Sequence, residues 1–410
     1  MENFTEIDKK SKINKYQWIA IISASITMFI WGFLLALAPI ATQWPFVPPS
    51  DYTYLLVAAP TSLLIGNLVL GRYTDKFGRK KLFIIDMILF AISIPLILLS
   101  NNVVELGLGI GMAEFSLGGD ETTVLTYLSE ISPKNHRGKI IVGVTNIANF
   151  GALIAALLSI VTSFSIYIQR LSFGILLALS IPVIVITRAL IPESFRWEYY
   201  KNVVKETKVE ISKRDYTIRL YFLVSMAITI VLTYALMALI IGPYLFPRLT
   251  SWIIFIYNLG ETIGGIILIP FVDSFSRKII AFIAYLGGSF TMALFIPQFL
   301  FARSIIAIFM ALLFLNGLFG ELGWAFRVIF EPELFPTNIR ATGIGLVRAI
   351  AYSLYVGSIF LTSGFSEFTY IFYNLGLWLF GLSGATLWLK YGIETKKKSL
   401  EDISDIIKNI

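Results

Sequence analysis

Long uncharged hydrophobic runs alternate with short charged segments along most of the chain. The run before residue 71 reads TYLLVAAPTSLLIGNLVL, and the run after residue 81 reads LFIIDMILFAISIPLILLS. A bilayer core about 30 Å thick needs about 20 helical residues to cross it. Backbone in lipid must also satisfy its own hydrogen bonds, which favours helices. The pattern therefore predicts an all-α integral membrane protein.

Twelve such runs are long enough to span a membrane. Spans four, eight and ten contain acidic residues and are less distinct by hydropathy. The longest polar stretch, 192–217, falls after six spans and before six more. We therefore predict a tail at 1–16, a six-helix bundle at 17–190, a linker at 191–217, a second six-helix bundle at 218–391 and a tail at 392–410. The predicted limits of the spans are 17–41, 52–71, 82–101, 103–129, 140–165, 169–188, 218–246, 251–272, 279–301, 304–330, 342–363 and 368–390.

The positive charges are distributed unevenly between the two sides of the membrane that these spans define. The even-numbered connections receive clusters of Lys and Arg, whereas the odd-numbered ones receive only Arg170, Arg248 and Arg303. Lys and Arg accumulate in cytoplasmic loops, so both termini are predicted to lie in the cytoplasm of a multi-pass cell-membrane protein. This asymmetry accounts for the net charge of +7 without any nucleic-acid partner.

Metal and disulfide chemistry is not expected. The chain has no cysteine, and its one histidine is His136, so neither a thiolate site nor a histidine site is predicted. A P-loop is also missing, so the sequence gives no sign of ATP hydrolysis. We predict no cofactor and no enzymatic activity.

The two predicted bundles carry the same charged signatures in the same order. GNLVLGRYTDKFGRKK at 66–81 is echoed by GGIILIPFVDSFSRKI at 264–279, which matches Asp75 with Asp273 and Arg79 with Arg277. SEISPKNHRG at 129–138 is likewise echoed by PELFPTNIRATG at 332–343. Six spans are an even number, so both bundles enter the membrane in the same direction. Two parallel repeats of this kind are typical of alternating-access transporters.

These motifs resemble those of the major facilitator superfamily. Residues 66–81 are similar to its loop 2–3 signature, at Gly71, Arg72, Asp75, Gly78 and Arg79. YLSEISPKNHRG and IPESFRWEYY resemble signatures of the sugar-porter-like branch, and ELFPTNIRATGIG resembles the loop 10–11 signature. The resemblance covers about residues 17–392. It implies two six-helix bundles that alternate in access, and a protein that is usually monomeric.

The spans depart from the substrate patterns of that branch. Span seven, LVSMAITIVLTYALMALIIGPYLF, has no Gln or Asn where sugar porters carry a Gln-Gln and Asn pattern. Span five lacks the proline of drug-efflux antiporters. GGD at 118–120 resembles phosphate porters, but ETT follows it. Sugars, organic acids, amino-acid-like compounds and phosphate therefore all stay open as substrates.

The resemblance implies a gating role for charged residues at the cytoplasmic ends of the helices. Asp75 is expected to join a charge network that bridges the two halves when the cytoplasmic side is shut, and Asp273 and Arg277 hold the equivalent places. The alternative is that these residues only anchor the spans. Clasps between helices are expected from three pairs within the motifs, which are Glu130 with Arg137, Glu193 with Arg196 and Glu333 with Arg340.

Acidic residues inside the spans are candidates for proton or substrate binding, because a charge near the bilayer centre costs at least about 2.5–3.5 kcal/mol. Asp120, Glu121 and Glu114 lie near the middle of span four, and Glu321 lies in span ten. Carboxylates are therefore expected to approach a central cavity from both halves. Asp120 is rotated by about 100° from Glu121 on a helix, so the two cannot point the same way. Asp120 is the first candidate for a proton carrier.

The remaining buried candidates are two cations, an aromatic residue and two further acids. Arg327 and Arg348 either neutralise an acid or hold an anionic substrate with the guanidinium fork. Trp324 lies near them in the sequence. Asp86 is close to a span end, where a structural role suffices, and for Glu261 both interpretations stay open.

Together these features predict a secondary active transporter that takes up a small polar metabolite with protons. Its partners would be the small-molecule substrate and the lipid bilayer, and the proton would be its coupling ion. A uniporter or exchanger with purely structural carboxylates is the alternative within transport. A non-transporting membrane sensor on the same fold is the alternative from another functional class.

Overall fold

In the computed structural model, residues 13–203, 213–337 and 339–403 are described. Over these ranges the chain forms helices joined by turns and contains no β-strand. Residues 1–12 of the predicted N-terminal tail, 204–212 of the predicted linker and 404–410 of the predicted C-terminal tail lie outside the described residues. The same holds for residue 338.

The N-terminal half supplies six membrane-crossing segments. The first is made of two helices that meet at Ala36. A short 3-10 turn, Pro49–Asp51, leads into the second. The helices are α1 (Lys15–Leu35), α2 (Leu37–Ala41), α3 (Tyr52–Phe77), α4 (Arg79–Leu99), α5 (Val103–Ile131), α6 (Arg137–Val161), α7 (Ile166–Leu190) and the shorter α8 (Phe195–Val203).

The C-terminal half repeats this arrangement. Its first crossing segment contains a π-helical stretch, Ala235–Ile240, between two α-helices. Such stretches occur frequently at functional sites, because an inserted residue redirects the side chains around it. The helices are α9 (Lys213–Tyr234), α10 (Ile241–Leu245), α11 (Thr250–Leu268), α12 (Arg277–Phe301), α13 (Ile306–Glu333), α14 (Arg340–Thr362) and α15 (Glu367–Tyr391).

Eleven segments among the described residues are long and apolar enough to cross a membrane. The twelfth crossing segment is α5, which contains Glu105, Glu114, Asp120, Glu121 and Glu130 and is therefore less hydrophobic. Large apolar side chains such as Leu179 and Phe290 lie exposed on the outside of the bundle, where lipid would cover them. The all-α membrane fold with twelve spans is confirmed, and the protein is a multi-pass membrane protein.

The charged stretch at 71–81 is almost entirely helical rather than a loop. Helix α3 continues through Phe77, and α4 begins at Arg79, so Gly78 alone joins them. Gly78 has a φ of 100°, which favours glycine, and a Cβ there would lie 2.4 Å from a carboxylate oxygen of Glu193. The turn therefore holds the charged side chains of both helix ends in fixed positions.

The two halves pack against each other mainly through α3 with α14 and α6 with α11. Gly71 lies where α3 approaches α14, because a Cβ there would be 3.1 Å from the carbonyl oxygen of Ala341. We call the end of the bundle that carries residues 72–81, 132–139, 191–197, 269–278, 334–337 and 339–342 the basic end. The helix order places all of these connections on one side of the molecule.

Candidate functional site

A central cavity lies between the two halves. It encloses about 540 Å³ of empty space, including its open part. Both halves and the π-helical stretch contribute to its walls. The lining residues are Trp31, Gly32, Leu35, Ala148, Asn149, Ile230, Val231, Tyr234, Ala235, Leu239, Glu261, Trp324, Arg327, Tyr352 and Tyr355.

Aromatic side chains from both halves meet at this cavity. The rings of Trp31 on α1 and Trp324 on α13 have centroids 5.8 Å apart, with their planes at 50°. Tyr234, Tyr352 and Tyr355 add three more aromatic walls. Trp324, which the sequence singled out, is therefore part of the lining.

A chain of ion pairs leads from the cavity into the contact between the halves. Arg327 lies 3.5 Å from Glu331, one helical turn further along α13. Arg348 on α14 lies 3.0 Å from Glu331 and also pairs with Glu121 on α5 of the other half. Glu114 is buried near Glu121, and neither of its oxygens has a hydrogen-bond partner. Of these five residues, only Arg327 lines the cavity.

A second group of polar residues joins α6 to α11 and α13. Asn149 donates a hydrogen bond of 2.6 Å to Glu321 and another of 3.1 Å to Asn146. Asn146 in turn donates to the carbonyl oxygen of Thr262 at 3.1 Å. Glu261 belongs to the cavity wall, and one of its oxygens is buried without a hydrogen-bond partner. The structure therefore brings Glu321 to the contact between the halves.

Asp120 lies inside the N-terminal half, away from the central cavity. It forms an ion pair with Arg188 on α7, and Arg188 also donates to the hydroxyl of Thr27 at 2.9 Å. Asp86 on α4, Asp120 and Arg188 line a small cavity of about 220 Å³ of empty space, including its open part. Both carboxylate oxygens of Asp86 lack hydrogen-bond partners. Helices α4, α5 and α7 thus supply two carboxyls and one guanidinium, and α1 supplies a hydroxyl.

The four acids predicted for the cavity therefore lie elsewhere. Asp120, Glu121, Glu114 and Glu321 are all buried, but none is among the lining residues, whereas Glu261 is. Asp120 and Glu121 pair with arginines from different halves, as expected from their angular separation on the helix. Their part in proton transfer stays a prediction.

Asp75 bridges the two halves at the basic end. Its carboxylate accepts hydrogen bonds from the backbone N–H and the hydroxyl of Thr342, at 2.8 and 2.9 Å, and from the N–H of Ala341 at 3.4 Å. These donors belong to the first turn of α14, where a helix favours an anion. Asp75 also lies 3.4 Å from Arg79 of its own half. Arg72, from the same motif, is exposed.

The equivalent aspartate of the second half makes a matching contact. Asp273 accepts a hydrogen bond of 3.0 Å from the backbone N–H of Lys139, in the first turn of α6. It also pairs with Arg277 at 3.0 Å. The repeat seen in the sequence therefore corresponds to two related contacts, each joining an aspartate of one half to a helix start in the other.

The two motif glutamates pair differently from the expectation. Glu130 binds Arg79 of its own half at 2.8 Å and Arg340 of the other half at 2.9 Å. The pairs expected within each motif, Glu130 with Arg137 and Glu333 with Arg340, do not form. The two motif arginines instead cross to the opposite half, because the motifs face each other across the boundary between the halves.

Glu333 shows the same crossed arrangement. It pairs with Arg277 of its own half at 2.6 Å and with Arg137 of the other half at 3.3 Å. All of these side chains are buried. Each glutamate thus pairs with one arginine of its own half and with one arginine of the opposite half.

The expected pair of Glu193 with Arg196 is also replaced. Glu193 accepts hydrogen bonds from the backbone N–H of Arg79 and Lys80, at 2.9 and 3.1 Å, and so satisfies the start of α4. Arg196 pairs with Glu401 at 3.0 Å and donates to the carbonyl oxygen of Glu130. The cause is a segment of the C-terminal tail that occupies this surface.

This C-terminal segment, residues 392–403, packs across both halves at the basic end. The carbonyl oxygen of Lys398 accepts from Arg137 at 3.3 Å, and the hydroxyl of Thr395 accepts from Arg277 at 3.1 Å. Leu400 and Ile403 are buried. The basic end is therefore held by the crossed ion pairs and by this segment together.

The sequence pattern does not assign five residues of these networks to the site. It gives Asp86 a structural role, leaves both interpretations open for Glu261, and does not single out Glu331, Arg188 or Asn149. Glu331 and Arg188 lie at the ends of predicted spans. Charged residues are common at span ends, so neither residue stands out as a site candidate. Spans three and four contain acidic residues but no Lys or Arg. That imbalance indicates that a cation from another span lies beside these acids.

Comparison with known proteins agrees with this architecture. Residues 48–217 match the model of the family described as sugar (and other) transporter. The chain is 27% identical to the minor myo-inositol transporter IolF of Bacillus subtilis (strain 168) over 385 residues, covering 85% of this chain and 83% of that protein. It is 26% identical to the "Putative niacin/nicotinamide transporter NiaP" of the same organism, covering 79% and 80%.

The fold is that of the major facilitator superfamily, and the chain is similar to sugar-porter-like transporters within it. Among solved structures, the proton:xylose symporter XylE bound to 6-bromo-6-deoxy-D-glucose matches with a TM-score of 0.72 at 17% identity, covering 96% of this chain and 99% of that chain. A partially occluded inward-open conformation of XylE from E. coli matches with a TM-score of 0.69 at 18% identity, covering 94% and 100%. These likenesses establish the fold. The similar proteins are transporters, so this chain is a transporter rather than an enzyme.

Proposed function

We propose that the protein is a secondary active transporter that carries a small polar metabolite into the cell together with protons. The observation that supports alternating access is the division of contacts between the halves. A central cavity has walls from both halves, and the crossed ion pairs of Glu130 and Glu333 join the halves at the basic end. Opening these pairs would give the cavity an exit toward the basic end.

The basic end would face the cytoplasm, because Lys and Arg accumulate in cytoplasmic loops. Both termini would then be cytoplasmic and the protein would reside in the cell membrane. We propose that it works as a monomer with the lipid bilayer and its substrate as partners, with the proton as coupling ion and without a cofactor.

Proton coupling is supported by the charge balance around Asp120. Asp86 and Asp120 are 1% exposed and Arg188 is 4% exposed. Two ionised carboxylates beside one guanidinium would leave a buried net charge, which is costly in a low-dielectric interior. One proton shared by the two acids would remove that charge. We propose that this proton is loaded from one side of the membrane and released to the other.

The available driving force is sufficient for concentrative uptake. A proton crossing the membrane gains about 2.3 kcal/mol per 100 mV and about 1.4 kcal/mol per pH unit. A proton delivered with each substrate would therefore support a gradient of roughly tenfold or more. The rival within transport is an exchanger in which Arg188 permanently neutralises Asp120 and no proton moves.

The substrates named for the relatives differ from one another. They include myo-inositol for one and niacin or nicotinamide for another. The proposal therefore extends to small polar metabolites as a class, and its test compares polyols, sugars and organic acids.

The test is uptake into proteoliposomes from a panel of polyols, sugars and organic acids, with and without an inward proton gradient. The proposal expects accumulation of at least one compound above its outside concentration, abolished by a proton ionophore. Uptake that stops at the outside concentration, or that needs a compound preloaded inside, and that the ionophore leaves unchanged would support the uniporter or exchanger. A protein that binds a compound but moves none of the panel would support the sensor.

A further inference from the structure

The central cavity is rich in aromatic side chains, and most of its neutral polar groups can donate hydrogen bonds. Five of its lining residues are Trp or Tyr, and its one side-chain amide is Asn149. That amide already donates to Glu321 at 2.6 Å and to Asn146 at 3.1 Å. The hydroxyl of Tyr234 is likewise engaged, with Asn258 at 3.2 Å. The remaining neutral groups of the wall are the hydroxyls of Tyr352 and Tyr355 and the indole N–H groups of Trp31 and Trp324, and each of them can donate a hydrogen bond.

A polyol would fit these walls poorly. Each hydroxyl that enters a site loses water on both its donor and acceptor sides, and a buried polar group without a partner costs about 1–3 kcal/mol. Aromatic walls cover the flat faces of a substrate but do not satisfy a ring of hydroxyls. The lining suits a substrate whose polarity is concentrated at one point.

Arg327 provides such a point. The residue is 2% exposed and lines the cavity. Its Nε and one terminal nitrogen have no hydrogen-bond partner, and the nearest carboxylate oxygen, on Glu331, is 3.5 Å away. Glu331 is held more closely by Arg348, at 3.0 Å. The fork of Arg327 is therefore available to another anion without leaving Glu331 unpaired.

A second unused donor lies in the same cavity. The indole N–H of Trp31 is buried without a hydrogen-bond partner, although its ring packs against Trp324. A buried indole N–H normally finds an acceptor. A carboxylate has two oxygens and accepts from several donors at once, so it could use both this group and the guanidinium.

We propose that the cavity binds a flat, largely apolar monocarboxylate, such as an aromatic or heteroaromatic acid. Its carboxylate pairs with Arg327, and its ring packs against the tryptophans and tyrosines of the wall. The inference rests on the proposed transport function, since it names the substrate class of that same cavity. A charged ligand of this kind distinguishes the protein from carriers of uncharged polyols.

The test is isothermal titration calorimetry on the purified full-length protein with benzoate, benzamide, D-xylose and myo-inositol. Benzoate and benzamide have the same shape and differ in charge, so their ratio isolates the carboxylate. We expect benzoate to bind about 10- to 100-fold more tightly than benzamide, as charge-assisted pairing implies, and neither polyol to compete.

Substitution of Arg327 then assigns this preference to its side chain. Arg327→Gln should abolish the preference for benzoate while leaving benzamide affinity unchanged. Arg327→Lys keeps the charge but loses the fork, so an intermediate preference is expected. Arg303→Gln, which removes an exposed arginine paired with Glu367, is the matched control and should leave both affinities unchanged. If the glutamine variant does not fold, the lysine variant with benzoate and benzamide still tests whether Arg327 causes the preference.

Several outcomes would overturn the inference. They are binding of a polyol in preference to benzoate, equal affinities for benzoate and benzamide, binding of none of the four probes, and an unchanged preference in both Arg327 variants. Failure of the transport function has a different signature. In that case benzoate binds with the expected preference, but proteoliposomes do not accumulate it under a proton gradient.

Discussion

Replacing Asp75 by Asn should shift the protein toward states in which the basic end is open. The carboxylate makes two short hydrogen bonds to Thr342 in the other half, at 2.8 and 2.9 Å. Its contact with Arg79 lies within one half and persists in both states, so it largely cancels. The contacts across the boundary therefore determine the effect.

The magnitude follows from the loss of charge on the acceptor. A charge-assisted hydrogen bond contributes about 1.5–3 kcal/mol and a neutral one about 1 kcal/mol. The interaction with the start of α14 adds about 0.3–1 kcal/mol. Because Asn keeps one oxygen acceptor, we expect a net change of about 1–3 kcal/mol. This corresponds to a 5- to 150-fold change in the ratio of closed to open states.

Distances between spin labels can measure this shift. The chain has no native cysteine, so cysteines at Lys76 and Phe275 would be the only labelling sites. Both residues are exposed and belong to equivalent connections of the two halves. In double electron–electron resonance, Asp75→Asn should enlarge the population with a long distance between them.

Two control variants sharpen the test. Thr342→Ala removes the hydroxyl donor but keeps the backbone N–H, so a smaller shift in the same direction is expected. Asp51→Asn makes the same chemical change at the opposite end and should leave the distribution unchanged. An unaltered distance distribution in Asp75→Asn would refute the latch and reduce the charged stretch to an anchor.

Three further predictions concern topology, coupling and pH. Tags at both termini and at residue 205 should be accessible only from the cytoplasm, and labelling of residue 205 from outside would rule out two bundles of six spans. Asp120→Asn should abolish proton-driven accumulation but spare binding and exchange, and accumulation at the wild-type level would exclude Asp120 as the carrier. Although burial raises it, the pKa of Glu401 is held below its ordinary 4.5 by Arg196. The ion pair therefore stabilises the C-terminal segment at neutral pH and is lost as the pH falls through the lowered folded-state pKa, so hydrogen exchange at 392–403 should rise in acid. In Glu401→Gln that rise should disappear, and an equal rise in the variant would refute the assignment.

The architecture of the protein could be predicted from local features of the chain. Apolar runs, charged connections and the repeated motifs each depend on residues close together in sequence. Hydropathy alone does not identify α5 as a membrane span, because this helix contains several acidic residues. Its length and the turns on either side still indicate a crossing helix. The one structural error at the charged stretch arose because a single glycine, Gly78, can replace a loop of several residues.

The contacts of the site could be predicted only in part. The motif residues were identified, and so was the divergence of Asp120 from Glu121, because helix geometry determines both. Their partners were not, since Arg340 lies 210 residues from Glu130 and Arg188 lies 68 residues from Asp120. A pairing of that length depends on which helices pack together, and a pattern along the chain does not contain that information.

By itself, then, the sequence determined that this chain crosses the membrane twelve times as two related halves, because burial in lipid imposes length and apolarity on each segment separately. It also indicated which charged residues belong to the basic end. Only the tertiary structure decided that Glu130 and Glu333 each pair with an arginine of the opposite half. It also decided that Asp120 faces Arg188 rather than the central cavity, and that Arg327 and the tryptophans form the wall of that cavity. Each of those outcomes depends on the rotation of one helix against another, and that rotation is set by packing over the whole molecule.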